Sequence, residues 1–138
     1  AAPGREAVVV DTPAGRLGLS VCYDLRFPEL YRRLSAAGAE ILVVPAAFTA
    51  PTGRAHWEVL LRARAVENLC HVVAAAQSGL HPNGRETYGD SLVVDHWGRV
   101  LKRRPRGSGA VVAAVDHPAQ RHVRRTFPAL SHRVLEGA

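Results

Sequence analysis

Short apolar runs, separated by glycine, proline and charged residues, predict strands that alternate with helices. In chain order, the predicted strands are residues 7–11, 17–22, 41–45, 71–77, 91–95, 100–103 and 110–116. The segment TPAGR between the first two strands and the segment HWG at 96–98 are turn sequences, so each is predicted to close a β-hairpin. The run ILVVP at 41–45 is apolar throughout, which is typical of a strand covered on both faces.

Three segments have the features of helices. Pro28 suits the first turn of a helix that continues to about Ala37 and ends at Gly38. Between residues 56 and 69, four apolar residues fall on one helical stripe: Trp57, Leu61, Ala65 and Leu69. Pro118 opens a short basic helix near the end of the chain.

The remaining segments are polar and predict loops at 46–55 and 78–90, with a tail at 127–138. The central β-α-β-α-β order requires right-handed crossovers, which place the first two helices on the same face of a mixed sheet. The predicted fold class is therefore α/β, with helices on one face of the sheet. Because little of the chain remains to cover the other face, we expect a further layer or a partner there.

The composition supports one domain with a sizeable core, since the 138 residues are 47% hydrophobic. No apolar stretch approaches the roughly 18 residues of a membrane helix, so no membrane partner is expected. The first residues do not have the pattern of a signal peptide, and two cysteines are too few for a disulfide framework. These features predict a cytoplasmic protein. The sequence contains no Met, which favours a segment of something longer.

The net charge of +6 comes largely from two basic runs, KRRPR at 102–106 and RHVRR at 121–125. Such runs can attract nucleic acid. However, the sequence around them lacks the aromatic residues on which bases stack. A solvated, arginine-rich surface is the favoured interpretation, and a basic nucleic-acid-binding domain is a less favoured alternative.

Cys22 ends the second predicted strand, immediately before a predicted helix. This is a favoured position for catalytic residues in open α/β sheets, and the bend there leaves the backbone N–H of Tyr23 free to stabilise an oxyanion. The helix N-terminus and Arg26 would favour a thiolate. Free cysteine is also among the most buried residue types, so local chemistry leaves a core thiol as the alternative. Cys70, on a later strand, is predicted to be such a thiol.

Three familiar kinds of site do not fit the sequence. The seven histidines are scattered and the cysteines stand far apart, which excludes the short ligand spacing of a zinc site. Neither phosphate-binding glycine motif follows a strand, and CYDLRF matches no local signature of a cysteine protease. We therefore expect neither a metal nor an organic cofactor.

Several segments together resemble the carboxyl-terminal half of the nitrilase superfamily, the carbon–nitrogen hydrolases. They are GLSVCYDLRFPELYRRL, ILVVPAAFT, PTGRAHWEVLLRARAVEN, VVAAAQSG and YGDSLVVDHWGRV, in the expected order and spacing. The resemblance covers nearly the whole chain. It is strongest to the branch that contains deaminated glutathione amidase and omega-amidase.

The resemblance implies an αββα sandwich, which doubles when two subunits pair, so a homo-oligomer is expected. It also implies a Glu-Lys-Cys triad in which the cysteine attacks an amide or nitrile carbon and forms a thioester. Cys22 corresponds to that nucleophile, with Tyr23 as the backbone oxyanion donor. The glutamate and lysine of the family lie upstream of the cysteine. Here no lysine precedes Cys22, and Glu6 is the only glutamate that does.

Residues 1–138 are therefore interpreted as the carboxyl-terminal portion of the domain, without two triad residues, and the isolated chain is expected to be inactive. The expected substrate is a small linear amide that carries a carboxylate. Arg26 is a candidate to bind the carboxylate, because a guanidinium matches it in two hydrogen bonds, although a local salt bridge to Asp24 or Glu29 is the alternative. Thr49 and Thr52 are further substrate-binding candidates, or loop-capping hydroxyls.

Other polar residues are interpreted as structural. Glu58 is placed to pair with Arg62 one helical turn later, and Asp90 and Ser91 precede a strand. A different class of function also stays open, namely a non-catalytic module that binds a partner through its bare sheet face.

Overall fold

Eight strands and four helices make up the computed structural model, which describes residues 2–135. The strands are β1 Val9–Thr12, β2 Gly15–Leu19, β3 Ile41–Ala46, β4 His71–Ala76, β5 Ser78–Leu80, β6 Glu86–Tyr88, β7 Ser91–Val94 and β8 Val100–Arg104. The helices are α1 Pro28–Ala36, α2 Ala50–Thr52, α3 Glu58–Asn68 and α4 His117–Thr126. Short 3-10 helices span Cys22–Arg26 and Ala129–His132, and a π-helical turn spans Gly53–Trp57. No helix in this part of the chain is long and apolar enough to cross a membrane.

Six of the strands form one mixed sheet in the order β1-β2-β3-β4-β7-β8, and β5 and β6 pair separately. The three central strands β2, β3 and β4 are parallel, while the outer pairs are antiparallel and include both predicted hairpins. The carboxyl ends of the parallel strands therefore meet at one edge. In open α/β sheets this edge is where ligands bind.

The core lies between the sheet and the helices α1 and α3, so the predicted α/β class with helices on one face is confirmed. The four residues of the predicted stripe are at most 2% exposed: Trp57, Leu61, Ala65 and Leu69. Trp57, Leu61 and Ala65 pack with Tyr31 and Leu34 of α1 and with alternate strand residues such as Leu42 and Val72. Burying each large apolar side chain contributes about 1.5–3 kcal/mol to the free energy of folding. The packed layer therefore stabilises the sheet and the edge at which the parallel strands end.

The opposite face of the sheet is partly uncovered. Leu19, Val43 and Val73 lie side by side on β2, β3 and β4, and Leu19 and Val73 are 39% and 36% exposed. Pro45 and Ala75, also paired across β3 and β4, are exposed as well. We call these five residues the open face. The expectation of an uncovered sheet face is confirmed for the described residues.

Helix α4 closes the other end of the sheet by binding backbone carbonyls. Gln120 Nε2 donates to the carbonyls of Glu40 and Leu69, each at 2.8 Å. Arg124 donates to the carbonyls of Leu69 at 3.1 Å and Asn68 at 3.3 Å. The last carbonyls of a helix have no partner within it, so these side chains satisfy the end of α3. The predicted basic helix therefore stabilises the carboxyl end of α3.

Several local predictions are wrong, and each error has a physical reason. Residues 110–116 form no strand, because no backbone in the described chain pairs with them; Val112 is 82% exposed. The predicted loop 46–55 is helical from Ala50 onward, since Gly53 N–H bonds Thr49 O at 2.8 Å and starts the helix early. The predicted loop 78–90 contains the β5–β6 hairpin, closed by a turn at Gly84.

Two boundaries also differ from prediction. The strand predicted for 17–22 ends at Leu19, so Cys22 lies beyond it in the Cys22–Arg26 turn. Within the predicted tail, Ala129–His132 forms a 3-10 helix, while positions 136–138 lie outside the described residues.

Candidate active site

Cys22 lies at a sharp turn, three residues after the end of β2. Its φ of 48° lies in the left-handed region, which costs a residue with a side chain roughly 1–2 kcal/mol. The turn is held from both sides: Val21 N–H donates to Asp24 Oδ2 at 2.8 Å, and Asp24 N–H donates to Val21 O at 3.0 Å. Backbone strain of this kind collects at functional sites. The cysteine is half-buried and is not in a disulfide.

A buried hydrogen-bond chain anchors the turn to the core. Ser20 Oγ donates to the carbonyl of Val43 at 2.8 Å, and Tyr31 Oη lies 2.8 Å from the same Ser20 oxygen. Because the serine hydrogen is used on the carbonyl, the tyrosine donates to Ser20. Burial raises the pKa of Tyr31 to about 12, so the phenol keeps its hydrogen at neutral pH. The position of Cys22 is thus fixed by α1 and β3.

Cys22 lines a groove of about 770 Å³ at the carboxyl ends of β3 and β4. The other walls come from the ends of these strands, the start of β5, the turn after it, β7 and the 107–109 loop. Its lining residues include Pro45, Ala46, Ala47, Ala75, Ala76, Gln77, Ser78, His81 and Ser91. Its volume lies within the range of about 300–1,000 Å³ that is usual for small-molecule sites.

The backbone N–H of Tyr23 meets no acceptor among residues 2–135. It is one of the first N–H groups of the Cys22–Arg26 helix, which have no partner within the helix. The Tyr23 side chain is 66% exposed and contacts the ring of Phe27. The geometry therefore leaves beside Cys22 the free donor that an oxyanion requires.

Arg26 belongs to an aromatic cluster rather than to a local salt bridge. Its guanidinium carbon lies 5.7 Å from the ring centre of Tyr23 and 5.1 Å from that of Phe48. Nη1 lies 3.2 Å from His56 Nδ1. Asp24 instead accepts from the backbone of Val21, so the local pairing considered for Arg26 does not form with this residue.

Thr49 and Thr52 lie next to this cluster, at the start of the helical segment after β3. Their Oγ1 atoms are 2.7 Å apart, and Thr52 Oγ1 donates to the Thr49 carbonyl at 3.2 Å. The hydroxyls thus bond each other and the Thr49 carbonyl within the local turn, and neither caps a backbone N–H of the helix. Arg26, Thr49 and Thr52 do not line the Cys22 groove.

Glu6 does not line the groove. It is exposed and lines a separate cavity of about 460 Å³ with Asp24, Phe27 and Arg33. Thus no glutamate upstream of Cys22 faces the groove within the described residues.

Cys70 differs from Cys22 in its burial. It is fully buried, as predicted, and its thiol donates to the carbonyl of Ala39 at 3.3 Å. Burial raises the pKa of Cys70 to about 11, against the opposing effect of Arg124. This thiol stays protonated and inaccessible at neutral pH.

The residues interpreted as structural have structural partners. Glu58 lies 3.8 Å from Arg62, and it also pairs with Arg103, which contacts Asp90 at 3.2 Å. Burial raises the pKa of Asp90, while Arg103 lowers it. Ser91 Oγ accepts from the backbone of Ala76 at 2.9 Å.

Sequence reasoning did not assign Gln77 and His81 to the groove. The alternation of β4 offered a signal for Gln77, since Val73, Ala75 and Gln77 share one face. His81 comes from a segment predicted as a loop, and its position depends on the β5–β6 pairing. No group of three histidine, cysteine, aspartate or glutamate side chains within residues 2–135 is placed to hold a metal ion.

A parallel-stranded sheet with a strained cysteine above a groove defines the chain as an α/β protein with a candidate cysteine active site. The profile of the carbon-nitrogen hydrolase family matches residues 2–125. The chain therefore belongs to the carbon–nitrogen hydrolase family, the nitrilase superfamily, as the sequence motifs indicated.

Relatives and solved structures agree with this assignment. The chain is 50% identical over 130 residues to the deaminated glutathione amidase of Yersinia enterocolitica, covering 94% of this chain and 46% of that protein. It is 56% identical over 124 residues to the human deaminated glutathione amidase, covering 90% of this chain and 38% of that protein. The crystal structure of the C. elegans NitFhit protein superimposes with a TM-score of 0.86 at 48% identity, covering 95% of this chain and 32% of that one. The chain thus spans less than half the length of these proteins.

Proposed function

We infer that this chain supplies the nucleophile-bearing part of a hydrolase that cleaves the carbon–nitrogen bond of linear amides. The observation that carries this proposal is Cys22, held at a φ of 48° on the rim of a groove at the carboxyl ends of parallel strands. The amidase names of the relatives support the reaction class. The contrast with the buried Cys70 supports the choice of thiol.

In the proposed reaction, the Cys22 sulfur attacks the amide carbon and forms a tetrahedral intermediate. The free N–H of Tyr23 donates to the developing oxyanion. The carbon–nitrogen bond then breaks, the amine leaves with a proton, and an acyl thioester remains on Cys22. Water hydrolyses the thioester, which releases the carboxylic acid and restores the thiol. No metal or organic cofactor enters any step.

The acyl part of the substrate is proposed to carry a carboxylate that binds Arg26. Stacking on Phe48 and Tyr23 orients the guanidinium, and the contact with His56 involves only one of its terminal nitrogens. The remaining N–H groups can bind a carboxylate in two parallel hydrogen bonds. Thr49 and Thr52 lie beside this position and supply further hydroxyl contacts.

The chain alone is proposed to be inactive. Glu6 faces another cavity and no lysine precedes Cys22, so the described groove has no general base or cationic stabiliser from the upstream sequence. A general base is worth on the order of 10²–10⁴ in rate, and an oxyanion donor about 10²–10³. We propose that a second layer with a glutamate and a lysine covers the open face and completes the site. We also propose a cytoplasmic enzyme that assembles as a homo-oligomer.

Thiol labelling tests the assignment of the nucleophile. The folded chain is treated with iodoacetamide at neutral pH, and the modification of each cysteine is followed by peptide mass spectrometry. We expect Cys22 to react at least 100-fold faster than Cys70, whose thiol is buried and protonated. Equal rates in the folded chain would favour the non-catalytic partner-binding module instead.

A further inference from the structure

The turn between β5 and β6 forms part of the groove wall and presents His81 to it. His81 N–H donates to Arg85 O at 2.8 Å, and Gly84 N–H donates to His81 O at 2.9 Å. Arg85 also donates to the carbonyl of Ala47 at 3.1 Å, which ties the turn to the other wall of the groove. These three hydrogen bonds fix the position of the turn that carries the His81 imidazole.

The hydrogen bonds around Thr87 define the orientation of the His81 ring. Nε2 lies 2.9 Å from Thr87 Oγ1, and the same hydroxyl donates to the carbonyl of Gly79 at 3.4 Å. Because the hydroxyl has a single hydrogen and the carbonyl can only accept, His81 Nε2 is the donor to Thr87. In the neutral ring, Nδ1 is then left with an unshared electron pair. Thr87 is 1% exposed, so this anchor is itself fixed.

Few polar side-chain atoms of the groove remain available to a ligand. Ser78 Oγ accepts from Gly107 N–H at 3.1 Å, and Ser91 Oγ is used by both backbone groups of Ala76. Within residues 2–135, Nδ1 of His81, the carboxamide of Gln77 and the hydroxyl of Ser108 have no hydrogen-bond partner. These groups, the hydroxyl hydrogen of Ser78 and the Cys22 thiol are therefore the polar side-chain groups that the groove offers.

An amide substrate has an acyl arm and an amine arm, which are joined at the carbonyl carbon that the nucleophile attacks. Cys22 and His81 line the same groove, whereas Arg26, four residues after Cys22, does not line it. If the acyl arm extends to Arg26, the amine arm occupies the groove. We propose that His81 is a specificity residue for this amine arm, and that its Nδ1 accepts a hydrogen bond from an N–H donor there. This inference rests on the proposed function, because it takes Cys22 as the point of attack.

Two alkylating probes that differ only at the end of the arm test the proposal on the chain itself. Bromoacetyl-glycinamide carries a terminal N–H donor, whereas bromoacetyl-glycine methyl ester has the same length without that donor. In each case the Cys22 sulfur displaces bromide from the same carbon. The ratio of the two labelling rates at Cys22 isolates recognition of the terminal donor, and protection of Cys70 reports that each variant is folded.

We expect the amide probe to label Cys22 about three- to tenfold faster than the ester, the gain that one hydrogen bond provides. His81→Gln keeps a group at the Nε2 position but lacks one at Nδ1, so its ratio should fall to about one. His81→Asn places an oxygen near Nδ1 and should retain part of the preference. His122→Gln, an exposed substitution on α4, should leave the ratio unchanged.

A ratio of about one in the unsubstituted chain would overturn the role of His81, as would an unchanged ratio in His81→Gln. Both outcomes leave Cys22 reactive and so leave the proposed function standing. Failure of the proposed function looks different: Cys22 would react with both probes as slowly as Cys70.

Discussion

Arg26 is four residues after Cys22 in the sequence. Its guanidinium carbon lies 5.1 Å from the centre of the Phe48 ring. Phe48 is 6% exposed and packs against Trp57, with ring centres 4.9 Å apart. A core aromatic pair therefore sets the position of a cation that belongs to the same short helix as the candidate nucleophile. This arrangement gives a positive field at the place where a substrate carboxylate is proposed to bind.

Arg26 should accelerate the reaction of Cys22 with anionic reagents. The measurement is the rate ratio of iodoacetate to iodoacetamide at Cys22, followed by mass spectrometry at one pH and low salt. A cation near the surface contributes about 1 kcal/mol, so Arg26→Gln should lower the ratio about fivefold, and Arg26→Lys by less. Added salt should reduce the difference. Arg121→Gln, on the exposed side of α4, is the matched control; an equal decrease there would contradict a local effect.

The left-handed backbone at Cys22 predicts an unusual order of stabilities. Glycine adopts a φ of 48° without the strain that a Cβ causes, so Cys22→Gly should be about 1 kcal/mol more stable than Cys22→Ala. Urea unfolding of the two variants measures the difference. On helix α3, Ala63→Gly should instead lose about 1 kcal/mol relative to the unsubstituted chain. If Cys22→Gly is the less stable of its pair, the turn is not strained.

His71 predicts a loss of stability in mild acid. Burial lowers the pKa of His71 to about 4, and the nearby His96 and His117 lower it further. Asp95 and Asp116 act in the opposite direction and raise it. The ordinary value is about 6.5, so between these pH values the unfolded chain binds more protons than the folded one. The stabilisation is complete above pH 6.5 and is lost as the pH falls to 4, by up to about 3 kcal/mol.

Urea unfolding at pH 7 and pH 4.5 measures this loss in the chain and in two variants. His71→Phe removes the titrating group and should show a smaller decrease, whereas His122→Gln, at an exposed position, should behave like the unsubstituted chain. An equal acid loss in His71→Phe would show that other groups carry the effect.

Local hydrophobic patterns predict helices and hairpins well, because these elements form their backbone hydrogen bonds within one short segment. The stripe of Trp57, Leu61 and Ala65 predicted its helix and its buried face correctly. The segment 110–116 has an equally clear apolar pattern and yet forms no strand, since strand formation requires a neighbour that the described chain does not supply. Periodicity predicts which face is buried but not whether a partner is present.

The candidate site was predictable only in part. Cys22 was selected as a candidate from its place before a helix, although the strand ends three residues earlier and the strain at this position has no signature in the sequence. His81 was not found, because its orientation depends on Thr87 and on the pairing of two short strands. Such long-range contacts have no local pattern.

Joining the chain to a complete upstream half shows whether Cys22 catalyses amide hydrolysis. The upstream half of the Yersinia enterocolitica relative is joined to this chain, and amide hydrolysis is measured together with the mass of the protein during turnover. We predict hydrolysis by the joined protein with an acyl group on Cys22, and no turnover by the 138-residue chain alone or by the joined protein with Cys22→Ala. Amide hydrolysis by the Cys22→Ala protein, or full turnover by the chain alone, would contradict the account.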